Sequence, residues 1–162
     1  MDKRTSKVNY YLDIADAVLG RSTCLRRKYG AIIVRNDEIL ATGYNGAPRG
    51  RRNCSDLNFC AREHMNIPSG ERYELCRSVH AEANAIISAA RRDMLDATLY
   101  LAGRDAKTGE ILPDTTSCAM CRRMLINSGI NKIVCRTGDG AYKITHVRDW
   151  IFDDDSLPLG VI

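Results

Sequence analysis

The sequence predicts a three-layer α/β domain, a mixed sheet with helices on both faces. Three observations carry this. The segments run helix, two strands, helix, strand, helix, strand, strand, an alternation that suits one sheet packed on both sides. The two middle helices are rich in alanine and leucine or isoleucine and have clear ends. The link between the last two strands, Gly138-Asp139-Gly140, is too short for a helical crossover, so those strands form an antiparallel hairpin.

Residues 5 to 19 set Val8, Tyr11, Leu12, Ala15 and Leu19 at helical spacing, with Gly20 as the stop. Residues 31 to 34 and 39 to 44 are short apolar runs joined by Asn36-Asp37-Glu38 and read as a β-hairpin. Residues 45 to 52, with Gly46, Pro48 and Gly50, form the loop that leaves it. Residues 53 to 77 are an insertion of weak periodicity with a turn at Pro68-Ser69-Gly70. A loop of about 25 residues is usually functional or tied down, and Cys54, Cys60 and Cys76 lie inside it. A helix is expected over 80 to 92, its two terminal arginines suiting the dipole. A strand over 97 to 102 follows. Then come a helix over 118 to 128 capped by Gly129, and strands over 132 to 136 and 142 to 147. That makes five strands. The tail, 148 to 162, holds three consecutive aspartates and Pro158, and is expected to dock as a short helix or cross a subunit boundary.

The 162 residues suit a single domain, 1–162, with a full core. No apolar run is long enough to span a bilayer. The first seven residues are polar and charged, so no signal peptide is read and the cytoplasm is expected. The net charge of +4 is too mild for a nucleic-acid binder, and no nucleic-acid partner is expected. The bases do cluster, at Arg21, Arg26, Arg27 and Lys28 and again at Arg49, Arg51 and Arg52. Such a rim fits a small phosphorylated ligand. Seven cysteines, an odd number, argue against a disulfide framework and for metal binding in a reducing compartment.

Two motifs carry chemistry. His80-Ala81-Glu82 opens one helix and Cys118-Ala119-Met120-Cys121 opens the next. A catalytic zinc takes three protein ligands and keeps one position open for water. One histidine and two thiolates meet that need, and a helix N-terminus favours thiolates. Glu82, two residues from His80, is placed to move a proton to and from a zinc-activated water, a role worth roughly 10² to 10⁴ in rate. Each part has an ordinary alternative. The CxxC alone could be a redox pair or half a zinc ribbon, His80 a capping histidine, Glu82 a first-turn glutamate. The combination is far more specific than its parts.

HxE followed by CxxC is the zinc-deaminase signature, and the wider chain resembles the cytidine/deoxycytidylate deaminases, deoxycytidylate (dCMP) deaminases in particular. The matching stretches are Arg21-Ser-Thr-Cys-Leu-Arg26, Gly30-Ala-Ile-Ile-Val34, Ala41-Thr-Gly-Tyr-Asn-Gly-Ala-Pro48, Pro68-Ser-Gly-Glu71, His80-Ala-Glu-Ala-Asn-Ala-Ile-Ile87 and Met124-Leu-Ile-Asn-Ser-Gly-Ile130. The resemblance implies a mixed five-stranded sheet of the cytidine-deaminase type. It implies hydrolysis of dCMP to dUMP and ammonia in pyrimidine deoxyribonucleotide metabolism, with attack at C4 of the pyrimidine. Asn45 and Arg26 would contact the nucleotide, Arg26 at the phosphate, and the backbone at Ala81 and Ser117 would meet the base edge. The region of Tyr142 would shape the phosphate pocket. It further implies a homo-oligomer, a hexamer by analogy, regulated by dCTP and dTTP with Mg²⁺, Gly46 and Arg49 lying near that site. A second, structural zinc would use Cys24 and Cys54, completed by Cys60 and Cys76 with His64 as a substitute ligand, and would hold the 53–77 insertion in place.

Three departures stand out. Ser117 occupies the place where the usual motif has proline, and a serine there is able to cap the helix. Ala83 replaces a larger residue. The Gly138-Asp-Gly hairpin replaces a helix and resembles the ending of the free cytidine deaminases. The alternatives are a deaminase of another free nucleoside, nucleotide or base, a tRNA adenosine deaminase, or a non-catalytic zinc-binding regulatory protein of the same fold. The aromatic content of 6% argues against the tRNA enzyme, and an intact Glu82 argues against the regulatory protein.

Overall fold

The structure is a computed structural model and describes residues 3–158, 160 and 161. Residues 1, 2, 159 and 162 of the expected domain and its tail lie outside the described residues. The chain forms helix α1 (Lys7–Leu19), strands β1 (Arg27–Arg35) and β2 (Glu38–Tyr44), and short helices α2 (Cys54–Leu57) and α3 (Ala61–His64). A 3₁₀ turn (Tyr73–Leu75), α4 (Ala81–Ile87), α5 (Arg91–Met94) and β3 (Thr98–Asp105) follow. Next come α6 (Ala119–Ser128), β4 (Lys132–Arg136), β5 (Tyr142–His146) and α7 (Val147–Phe152). The sheet order is β2-β1-β3-β4-β5. Only β3 and β4 are parallel, joined through α6; β4 and β5 are antiparallel, as the short link required. The mixed five-stranded sheet is the one expected.

β1 shows why both faces are covered. Its residues 31 to 34 are buried on either side. Ala31 and Ile33 enter a core with Ala85, Leu99, Leu101, Leu125 and Ile133. Ile32 and Val34 enter a second core with Tyr11, Leu12, Ala15 and Tyr100. Period-2 alternation thus feeds two cores at once. Full burial of each such leucine or isoleucine contributes about 1.5–3 kcal/mol. Helix α1 starts at Ser6, whose hydroxyl accepts from the Asn9 amide at 3.2 Å. It is tied to the sheet by a bidentate Arg104–Asp16 pair at 2.6 and 3.1 Å.

Two elements differ from expectation. The helix expected over 80–92 stops at Ile87. Ser88 bonds its hydroxyl back to the Asn84 carbonyl at 2.9 Å, a competing bond that loosens the helical ladder. Ala90 is extended and starts the separate α5, and Arg91 donates to the Asn127 carbonyl at the end of α6 instead of serving its own helix. The insertion is also more ordered than its weak periodicity suggests, with α2, α3 and the 3₁₀ turn inside it. Gly129 caps α6 in the left-handed region at φ 82°, as expected.

Candidate active site

Two helix starts meet at the site. His80 is the N-cap of α4 and Cys118 the N-cap of α6, both extended, and neither side chain caps its own helix. Each is therefore free to point across the gap between the helices. Cys121 sits within the first turn of α6 and is buried. His80 Nδ1 lies 3.4 Å from the sulfur of Cys118 and 3.4 Å from that of Cys121. The three ligating atoms all fall within 4.8 Å of one another, the single such group among the described residues. Tetrahedral zinc with ordinary Zn–S and Zn–N bonds sets such donors roughly 3.5 Å apart. The trio fits zinc in donor type, number and spacing.

Electrostatics at the trio favours a charged pair. Burial works to lower the pKa of His80, but the Cys118 sulfur and Glu82 outweigh it and leave it raised. Hydrogen bonding from the Cys121 thiol pulls the Cys118 thiol well down, against burial, and His80 adds to the effect. Glu82, in the first turn of α4, is 5% exposed. Burial pushes its carboxyl above the usual carboxylate range, opposed by its own backbone N–H and by His80. A carboxyl held ready to take up and release a proton is what a shuttle needs. Cys135 of β4 is different: burial pushes it up to about 12, and it is a buried thiol of the core.

A cavity opens in front of the trio, lined among others by Arg26, Tyr29, Asn45, Arg62, Tyr73 and Glu82. Of the residues expected at the substrate, the structure brings Asn45 and Arg26 here. Asn45 is largely committed to the fold. Its Oδ1 accepts from the Ser22 hydroxyl at 2.5 Å and the Tyr29 amide at 2.9 Å, and its Nδ2 donates to the Arg27 carbonyl at 2.9 Å. One amide N–H is left for a ligand. Arg26 pairs with Glu63 through Nε at 3.3 Å, while its Nη1 is buried with no hydrogen-bond partner. Ala81 (1% exposed) opens α4 after His80, and Ser117 (1% exposed) precedes Cys118 at the start of α6. Ser117 does not cap α6, since Cys118 holds that position.

Tyr142 lies elsewhere. It begins the edge strand β5, opposite Arg136, is 42% exposed, and does not line the cavity. The antiparallel hairpin carries it to the sheet margin, away from the β1 and α4 ends where the cavity forms. The sequence reading also missed Arg62 and Tyr73. Arg62 is 6% exposed, donates to the Pro68 and Glu71 carbonyls at 2.8 and 2.7 Å, and stacks over the Tyr73 ring at 4.4 Å. Tyr73 in turn meets the His80 ring edge-on at 5.0 Å. The insertion thus buttresses His80. The cue available in sequence was an arginine and a tyrosine in a segment otherwise without pattern.

The other four expected ligands, Cys24, Cys54, Cys60 and Cys76, stand near one another. Burial raises the Cys54 thiol, and the neighbouring Cys24, Cys76 and Cys60 raise it further. They are more widely spaced than the catalytic trio. Two of them accept backbone N–H bonds from two residues ahead, Cys24 from Arg26 and Cys76 from Ser78, each at 3.4 Å. His64 is exposed and packs against the Phe59 ring, centroids 5.3 Å apart. Gly46 and Arg49 line a separate cleft with Asn84 and Ser88.

Fold and trio together point to one family of zinc-binding proteins. The family model for the cytidine and deoxycytidylate deaminase zinc-binding region matches residues 5–137, and the chain belongs to that family. It is 36% identical over 130 residues to the deoxycytidylate deaminase of Mycobacterium phage D29, covering 77% of this chain and 90% of the relative. It is 33% identical over 135 residues to that of Schizosaccharomyces pombe, covering 83% of this chain but only 38% of that longer relative. The crystal structure of dCMP deaminase from the cyanophage S-TIM5 superposes with a TM-score of 0.56 at 25% identity, covering 85% of this chain and 89% of that one.

Proposed function

We propose that the protein deaminates dCMP hydrolytically, giving dUMP and ammonia. The observation that carries this is the pairing of a buried Glu82 beside the His80–Cys118–Cys121 trio with an unpartnered Arg26 Nη1 in the same cavity. The first provides the proton carrier, the second a site for the 5′-phosphate. His80, Cys118 and Cys121 would hold the zinc, which when bound supplies an acidified water at neutral pH. Glu82 takes one proton from the attacking water and delivers it to N3 of the ring as the water oxygen bonds to C4. It then moves the second proton, from the hydroxyl now on C4, to the 4-amino group, which leaves as ammonia as the C4–N bond breaks and the C4 carbonyl forms. The free N–H of Asn45 and the backbone at Ala81 and Ser117 orient nucleotide and base.

The test is ammonia release from dCMP, cytidine, dCTP and guanine. Turnover of dCMP is expected to exceed that of cytidine by at least about 10², the order expected when a site loses a charge-assisted ligand contact. Faster release from cytidine would overturn the substrate assignment while leaving the reaction intact.

The reading includes a second, structural zinc at Cys24, Cys54, Cys60 and Cys76. The nearness of the four thiols and the backbone N–H bonds that orient the Cys24 and Cys76 sulfurs support it. Elemental analysis of fully loaded protein is expected to give two zinc per chain, falling to one in Cys54→Ser; one zinc in the unmodified protein excludes this site. The reading also places a nucleoside-triphosphate effector, dCTP or dTTP with Mg²⁺, in the Gly46–Arg49 cleft. It takes the assembly as a homo-oligomer, a hexamer by family analogy, supported by Ile87 at 70% exposure and by the exposed Met124. Seven free thiols support a cytoplasmic location.

A further inference from the structure

The departure at residue 117 has a structural counterpart in Arg122. In the usual motif a proline there fixes the backbone φ ahead of the first cysteine ligand. Ser117 has no such restraint, and its hydroxyl is buried without a hydrogen-bond partner. A loose serine at this point would let the base edge and the cysteine turn drift together.

Arg122 follows the second cysteine ligand on α6. Its Nε donates to the Ser117 carbonyl at 3.0 Å. Its guanidinium is itself held from outside. The group lies over the Trp150 ring of α7 at 5.2 Å, and Nη1 reaches Asp155 at 3.3 Å. Trp150 packs against the core shared by β3, α4 and α6. The C-terminal segment therefore braces a cation whose Nε grips the backbone just ahead of Cys118.

We propose that Arg122 is a positioning residue: braced by Trp150 and Asp155, it clamps the Ser117 carbonyl and so fixes the turn just ahead of Cys118, replacing the restraint of the missing proline. The proposal rests on the proposed deaminase site, in which the Ser117 backbone meets the base. It also gives the acidic tail a role, as the support of the clamp. Through Arg122 the tail acts on that turn without touching substrate.

The test is a double-mutant cycle with two readouts, on zinc-loaded full-length protein. Arg122→Met is expected to lower kcat about tenfold with KM changed less than about threefold, the loss of one charge-assisted bond. In a Ser117→Pro background the same substitution is expected to cost less than about twofold, since the ring then supplies the restraint. Amide hydrogen exchange over residues 115–118 should rise about tenfold in Arg122→Met and not in the Ser117→Pro background. Arg122→Lys, which keeps a donor and the aliphatic stem, should retain at least about half of the activity and of the protection. An equal loss in both backgrounds, or unchanged exchange in Arg122→Met, overturns the proposal. If the unmodified protein releases no ammonia from dCMP, the functional reading fails, and the exchange measurement still decides the clamp.

Discussion

Glu82→Gln is expected to lower kcat/KM by roughly 10² to 10⁴ while zinc content and melting temperature hold. The substitution keeps shape and hydrogen-bonding reach but removes the proton the reaction must move. Glu82 is buried, and burial disfavours its charged form. A neutral glutamine relieves that cost, so stability should stay level or rise. This separates the residue from a structural one, whose loss would lower activity and stability together. The measurement pairs steady-state ammonia release with thermal unfolding and metal analysis. Full activity in Glu82→Gln would sink the mechanism whatever the substrate, because no other buried carboxyl lies beside the trio among the described residues.

Gly43→Ala is expected to cost about 10² in kcat/KM without touching any ligand. Gly43 lies on β2 opposite Ala31 of β1. A Cβ there would sit 2.3 Å from the Ala81 carbonyl and 2.4 Å from the Ala85 amide, both backbone atoms of α4. Neither can rotate away, so α4 itself must move by about 1 Å, a displacement of the size that costs roughly 10² when it reaches a catalytic constellation. α4 carries His80 at its N-cap and Glu82 in its first turn. Overpacking of this kind also destabilises by about 1–3 kcal/mol. Gly138→Ala is the control: its new Cβ would meet only the Ala141 side chain at 3.5 Å, an ordinary contact. Activity of Gly43→Ala within twofold of the unmodified protein would show that α4 is not held at this contact.

The chemistry was legible in sequence because it is local. His80 and Glu82 are two residues apart at a helix start, and Cys118 and Cys121 share a turn. Spacing along a helix fixes relative direction, so the proposed metal-ligand set and proton carrier are readable from the chain itself. The strand pattern of residues 31 to 34 and the three-residue link near Asp139 likewise foretold a mixed, doubly covered sheet. What the chain could not state is which distant segments converge. Asn45 reads as a ligand-binding residue, but packing commits three of its hydrogen bonds to Ser22, Arg27 and Tyr29. Tyr142 reads as a pocket residue, but the sheet order puts it at the edge. Arg62, Tyr73 and Arg122 carry no motif, and their roles arise only where the insertion meets His80 and the tail meets α6. Sequence by itself determined the residues on which the proposed reaction rests, through short-range covalent spacing. Tertiary structure alone decided how the site is supported, because those contacts join residues tens of positions apart and depend on the whole fold being in place.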